Sequence, residues 1–328
     1  MPAAFFAILT ILTHAAFTLV LKGTVQLWPV GLAGTFSRVV TVCLLGTWIL
    51  SRGAGWRRLR PGGRIRPLLV MSAQSIAINL LWFGSLQYTT ATNVAMLMSM
   101  DLVFVVLIGA ALGLERLTGK ELALLPLMLT GMALLVGVAE RDLGLHLLGD
   151  LMAVTAAAIY ASNAFLIRRI LRHMDEESVS LYNHSLSTFG FLAVALLAGE
   201  FRSAVATLGS PSAWGWIVAL GCTAALSLPL YYAALHRMEV WRLRAWLLAA
   251  PVLVAMVEWM QGVRLGTSQW LGAALVLGGL ALLIRMEMLS RRASCGAVAG
   301  AGGDSQTCRS CVTSVPSEVP LTPKGAKP

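Results

Sequence analysis

The sequence predicts an all-α polytopic membrane protein in which ten transmembrane helices form two inverted five-helix repeats. Three observations carry that expectation. First, the chain is 57% hydrophobic and only 12% charged, with a mean hydropathy of +0.77, so it has too little polar surface to cover a soluble fold. Second, mainly apolar stretches of about the 20 residues that a helix needs to cross a bilayer lie at 3–22, 29–50, 67–88, 91–113, 120–139, 147–168, 178–198, 212–235, 244–262 and 268–286. Third, the second half of the chain repeats the first.

The repeat is plainest in residues 88–137. Glu115-Arg116-Leu117 answers Val263-Arg264-Leu265, and Leu129-Thr130-Gly131-Met132-Ala133-Leu134-Leu135 answers Leu277-Gly278-Gly279-Leu280-Ala281-Leu282-Leu283, both at an offset of 148 residues. Ser85-Leu86 with Ala234-Leu235, and Leu102-Val103 with Pro251-Val252, correspond at 149. Near the start of each half, the segment from His14 to Lys22 matches the segment from Tyr160 to Arg168 at 146. Five spans per copy is odd, so the second copy enters the membrane from the opposite side, which makes the repeat inverted. The domains are then a first repeat over 1–139, a second over 147–289, and a tail over 290–328.

Positive charge sets the orientation. Arg52, Arg57, Arg58, Arg60, Arg64 and Arg66 share one loop, and Arg116, Lys120, Arg168, Arg169, Arg172, Arg237, Arg242 and Arg244 fall on the same side. Only Lys22, Arg141, Arg202 and Arg264 fall on the other, so both termini are expected in the cytoplasm and the chain in the plasma (bacterial inner) membrane. The net charge of +10 is thus a topology signal. The lipid bilayer is the expected partner; nucleic acid is not, because no soluble surface interleaves basic residues with aromatics.

Span one lacks the basic start of a signal peptide and matches residues in the second half, so it is read as a retained span. It carries His14, whose counterpart is Tyr160, close to Asn163 in span six. Either packing or a cavity role fits His14, since intramembrane ionisable groups face the bundle interior. Span two carries Arg38, about 13 Å deep at helical rise. At that depth a guanidinium costs at least about 2.5–3.5 kcal/mol, so it needs a counter-charge or an anionic ligand. Its counterpart His184 is placed near the cytoplasmic end of span seven, where solvation would suffice.

Span three holds Gln74, Asn79 and Gln87, with Trp82 and Phe83. Gln74 reads as interhelical glue, while Asn79 and Trp82, three apart, share a face that suits a cavity wall. Tyr231 and Tyr232 answer Trp82 and Phe83 in span eight, beside the helix-bending Pro229. Span four brings Asp101 to about 16 Å, close to Arg38 in depth. The expectation is that the two pair or share a watered cavity, with Asp101 a proton carrier or one member of a fixed ion pair. Span nine holds Glu258 at about 9 Å, with Arg242 and Arg244 expected to be solvated at the inner mouth. Gly131, Gly137, Gly272, Gly278 and Gly279 in spans five and ten permit close helix approach, including a homodimer through those spans.

Beyond residue 290 the chain turns rich in Gly, Ser, Ala and Pro, as disordered segments are. Cys308-x-x-Cys311 with Cys295 falls short of a closed zinc site, because the tail has neither a fourth Cys nor a His. No cofactor or metal is expected. Cys43 and Cys222 read as small apolar span residues. The rival classes are a membrane-embedded enzyme and a scaffold without transport; G-x-S-x-G, H-E-x-x-H and G-x-G-D are all missing from the sequence.

The duplicated pattern resembles the EamA-type repeat of the drug/metabolite transporter superfamily over about residues 3–286. The features that carry it are Ser85-Leu86, Leu102-Val103 and Glu115-Arg116-Leu117, their second-copy counterparts, Gly149-Asp150-Leu151, and Arg38 in span two. The chain departs from that pattern at Leu102, at Val263 and in the bulky run from Trp241 to Trp246. The resemblance implies a carrier with a central cavity lined by spans one to four and six to nine, exporting a small metabolite or amphipathic compound by exchange or proton coupling. The physical reading converges on it, because inverted repeats support two opposed states around a midplane site.

Overall fold

A computed structural model describes residues 3–52, 65–85, 88, 94, 97–114, 118–136, 147–262 and 264–300. Among these every regular element is helical. The helices are α1 (Ala3–Leu27), α2 (Val30–Ser51), α3 (Ile65–Ser85), α4 (Asp101–Ala111), α5 (Gly119–Val136), α6 (Leu147–Leu171) and α7 (Glu176–Leu197). Two short turns follow, α8 (Glu200–Ser203) and α9 (Val205–Leu208), then α10 (Pro211–Arg237), α11 (Val240–Leu247), α12 (Ala249–Met260) and α13 (Thr267–Gly300). Seven stretches among the described residues are long and apolar enough to cross a membrane: α1, α2, α6, α10, Ile65–Trp82, Val240–Met260 and Thr267–Met286.

Local chemistry explains the boundaries. Nothing in α1 stops the helix at the expected residue 22, and it runs to Leu27, where Pro29 steers the residue before it away from helix. Pro29 then caps α2 with extended backbone, φ −56° and ψ 146°. The exposed amides of that first turn find a distant partner: Gly31 and Leu32 N–H donate to the two Glu200 carboxylate oxygens at 3.1 and 2.9 Å. Pro211 opens α10 at a position where its missing N–H costs nothing. At the start of α5, Thr118 and Glu121 exchange hydrogen bonds as a capping box, the Thr118 N–H donating to Glu121 Oε2 at 2.8 Å and the Glu121 N–H to Thr118 Oγ1 at 3.3 Å.

Spans four and nine are each interrupted. The turn at Met100 separates a helical stretch at 97–99 from α4, and the turn at Leu248 separates α11 from α12. In the second case Pro251 supplies the cause, since its ring displaces the carbonyl four residues back, that of Leu247, the last residue of α11. The first copy has Leu102 at the corresponding place and breaks without a proline; Asp101 in the first turn of α4 offsets the partial positive charge of the new helix start.

Small residues line the buried face of α6, and several large apolar side chains elsewhere face outward. Ala153, Ala156, Ala157, Ala161 and Ala164 of α6 are fully buried, whereas Leu197, Phe189 and Leu226 are 89%, 69% and 60% exposed. Such exposure of apolar side chains suits lipid rather than water. Trp28, Phe36 and Trp214 close one end of the bundle, with ring centroids 5.0–5.6 Å apart and Trp28 Nε1 donating to the Ala213 carbonyl at 2.9 Å. The start of α13 lies against α5: a Cβ on Gly131 would stand 2.9 Å from the Gly272 carbonyl oxygen, and one on Gly279 would stand 2.6 Å from Met128. Gly131, Gly272 and Gly279 are therefore used within the chain, whereas a Cβ on Gly278 would meet nothing within 4 Å.

Residues Ala3–Leu280 make up one compact unit, and a second begins at Ala281. Within the latter, α13 stays helical to Gly300. That corrects the expectation of disorder from residue 290, and alanines at 293, 297 and 299 favour the helix. Residues 301–328 with Cys308 and Cys311, the basic loop from Arg57 to Arg64, Arg141, Gln87, Gly137, and the Glu115-Arg116-Leu117 and Val263 positions lie outside the described residues.

Candidate functional site

Two polar clusters lie inside the bundle, each built around an arginine. In the first, α11 carries Arg244 into the interior, where it is 3% exposed. Its Nη1 lies 3.1 Å from Asp101 Oδ2 at the start of α4. The guanidinium carbon sits 3.8 Å from the centroid of the Tyr160 ring and 5.4 Å from that of Tyr231, and His14 is within its electrostatic reach. Among the described residues, Arg244 Nε and Nη2, Trp246 Nε1 and the Tyr231 hydroxyl have no hydrogen-bond partner.

This corrects two expectations. Arg244 is buried, not solvated at a mouth, and Asp101 pairs with it rather than with Arg38. Depth alone placed Arg38 and Asp101 together, but depth does not say which way a helix faces. Here α2 packs on α7 and α10, while α4 packs on α6 and α11. Arg242, two residues before Arg244, is half-buried and bonds Glu121 at 3.1 Å and Glu239 at 2.9 Å.

The second cluster surrounds a cavity of about 60 Å³ between α1, α2, α3, α7 and α10. Arg38, Asn79, Trp82 and His184 line it together with Phe191 and Gly34. The Arg38 guanidinium lies 3.9 Å over the Phe191 ring and donates to the Gly34 carbonyl at 3.3 Å. The ring comes that close only because residue 34 has no side chain; a Cβ there would collide with Phe191. Among the described residues, Arg38 Nε and His184 Nε2 have no hydrogen-bond partner. His184, 9% exposed, is thus interior and not solvated near the helix end.

The remaining candidates do other work. Asn163 is buried and donates to Ser75 Oγ at 3.2 Å, joining α6 to α3 beside the Gln74–Ser162 contact of 3.4 Å. Glu258 forms an ion pair of 2.5 Å with Lys22, whose side chain is 63% exposed, which puts it apart from both clusters. Sequence reasoning missed Arg244, Phe191 and the buried bond of 2.9 Å from Asn183 to the Tyr232 hydroxyl. The signal for Arg244 was present as a departure, a charge inside the bulky run from Trp241 to Trp246; Phe191 had none.

Counterparts in the two copies converge. His14 and Tyr160, 146 residues apart, both attend Arg244. Arg38 and His184, at the same offset, both line the cavity. A duplicated chain places equivalent residues side by side where its two copies meet.

A model of the EamA-like transporter family matches residues 1–137 and 147–285, nearly the whole span of both copies. The chain belongs to the EamA-like transporter family. It is an integral, multi-pass membrane protein. It is similar to an uncharacterized transporter of Archaeoglobus fulgidus, 30% identical over 200 residues that cover 58% of this chain and 66% of that one. A probable amino-acid metabolite efflux pump of Escherichia coli (strain K12) is 27% identical over 191 residues, 54% of this chain and 62% of that protein. The chain thus spans just under two thirds of the length of these relatives. A protein of known crystal structure shares the fold with a TM-score of 0.69 at 20% identity, over 85% of this chain and 95% of that one.

Proposed function

We propose that this chain is a secondary transporter that exports a small metabolite by alternating access, with ten spans in two inverted halves and both termini in the cytoplasm of a bacterial inner membrane. One observation carries the reading: a buried ion pair, Asp101 to Arg244 at 3.1 Å, joins the two copies where α4 begins and just before α12 does. Interrupted helices that bring charge to mid-membrane are the way many carriers build a site between inverted repeats. The two unpartnered nitrogens of Arg244, Nε and Nη2, leave the pair free to exchange partners as one half rocks against the other. The name of the Escherichia coli relative supports export of compounds of amino-acid size.

The test compares the compounds inside and outside cells making the wild-type protein, cells making Asp101→Asn at equal membrane abundance, and cells with neither. Release of one compound class by wild type alone is expected. Release equal to that of empty cells would remove the exporter reading, and equal release by both proteins would make the pair structural.

A further inference from the structure

We propose that the cavity beside Arg38 seats the carboxylate of the transported compound, so that the substrates are small carboxylates with an apolar body. This rests on the exporter reading and narrows it. A guanidinium held inside a membrane needs a negative partner, because the desolvation of an isolated charge is too costly to leave unmet. Among the described residues Arg38 has no carboxylate partner; it has a carbonyl, an aromatic face and an unused Nε. The residues lining the cavity include no Asp or Glu. The partner that is missing among the described residues is the one a substrate brings.

Arg244 is the rival seat and a worse one. Its charge is already matched by Asp101, so a second carboxylate there would face the first as a like charge. At Arg38 an incoming carboxylate meets two unused nitrogens from repeat-equivalent positions, Arg38 Nε and His184 Nε2, within electrostatic reach of each other. The volume agrees: about 60 Å³ is room for a small polar group such as a carboxylate but not for a whole metabolite. Pockets that enclose a small ligand run to about 300–1,000 Å³, so the body of the substrate is admitted only when the helices part. Phe17, Leu21, Val25 and Leu220 then offer it an apolar wall, and Trp82 a flat one.

The experiment identifies by mass spectrometry the compounds released by cells making wild type, Arg38→Gln and Arg38→Lys. Those released by wild type are expected to carry a carboxylate. Arg38→Gln should lower their release roughly ten- to hundred-fold at equal membrane abundance, as loss of a charge-assisted bond implies, and Arg38→Lys should retain part of it. A second arm needs no variant. In vesicles containing the wild-type protein, counterflow of the labelled compound should be competed by the unlabelled acid and not by its primary amide, which keeps the shape and loses the charge. Equal competition by the amide, or release confined to compounds without a carboxylate, overturns the proposal and leaves the exporter standing. A phospholipid that co-purifies with wild type but not with Arg38→Gln overturns it in favour of a lipid headgroup. A medium identical to that of empty cells removes the exporter reading and this one with it.

Discussion

Breaking the buried pair tests the interior most directly. At 3.1 Å the attraction between Asp101 and Arg244 is worth about 5 kcal/mol at an effective dielectric of about 20. Much of that is offset by the desolvation of two buried ions, so replacing both by neutral residues should cost little. Removing one is different, because it strands the other. A stranded carboxylate sheds its charge by binding a proton, whereas a stranded guanidinium has no such escape. Asp101→Asn should therefore cost about 3–5 kcal/mol. Arg244→Gln should cost less, about 1–3 kcal/mol, the penalty of an unsatisfied neutral group. The double variant Asp101→Asn/Arg244→Gln should recover at least 2 kcal/mol, roughly, of the summed losses. Reversible unfolding of the purified protein in mixed micelles measures all three. The reasoning fails if Arg244→Gln proves worse than Asp101→Asn, or if every variant stays within about 0.5 kcal/mol of wild type, the range of ordinary surface changes.

Three further substitutions probe the frame around the sites. Glu200→Ala strips the cap from Gly31 and Leu32 and should destabilise by about 1–2 kcal/mol in the same unfolding assay, with Glu200→Gln intermediate because it keeps the acceptor and loses the charge. Gly34→Ala drives the Phe191 ring off Arg38 and should cost about 1–3 kcal/mol as overpacking; Gly46→Ala, where a Cβ meets nothing within 4 Å, is the matched control. Lys22→Met should change stability by less than about 1 kcal/mol despite the short contact to Glu258, since the Lys22 side chain is 63% exposed.

The all-helical, membrane-spanning character was legible because bilayers impose length and apolarity. The helix ends that sequence reasoning misplaced are those set by events beyond periodicity. The α1 terminus waits for Pro29, and the division of span nine follows from Pro251 acting on Leu247, four residues back. The sites were half legible. Charge in an apolar span marks a residue as costly, which singled out Arg38 and Asp101, but partner choice depends on the azimuth of each helix. Azimuth is fixed by packing across the bundle, here α2 on α7 and α4 on α11, and no local pattern in the chain encodes it. Arg244 was misread for the same reason: a position about one turn from a helix end can be solvent or interior depending on what covers it.

The two halves are asymmetric in charge, and that asymmetry has a testable consequence. Arg38 and His184 are counterparts, but at an offset of 149 Asp101 answers Ala250 and Arg244 answers Ala95. The ion pair therefore has no second image, and the two carriers of charge sit in unlike surroundings. Asp101 lies in the first turn of α4, where the helix dipole favours an anion by about 0.3–1 kcal/mol. Arg244 lies over the Tyr160 ring at 3.8 Å, a contact worth about 2 kcal/mol when desolvated. A swapped protein, Asp101→Arg/Arg244→Asp, preserves the attraction and loses both of these. It should be less stable than wild type by about 2–4 kcal/mol, the sum of the two losses with the dipole effect reversed in sign, and less stable than the neutral double variant. If it unfolds at the wild-type denaturant midpoint instead, charge complementarity is all the site requires, and neither Tyr160 nor the start of α4 fixes the direction of the pair.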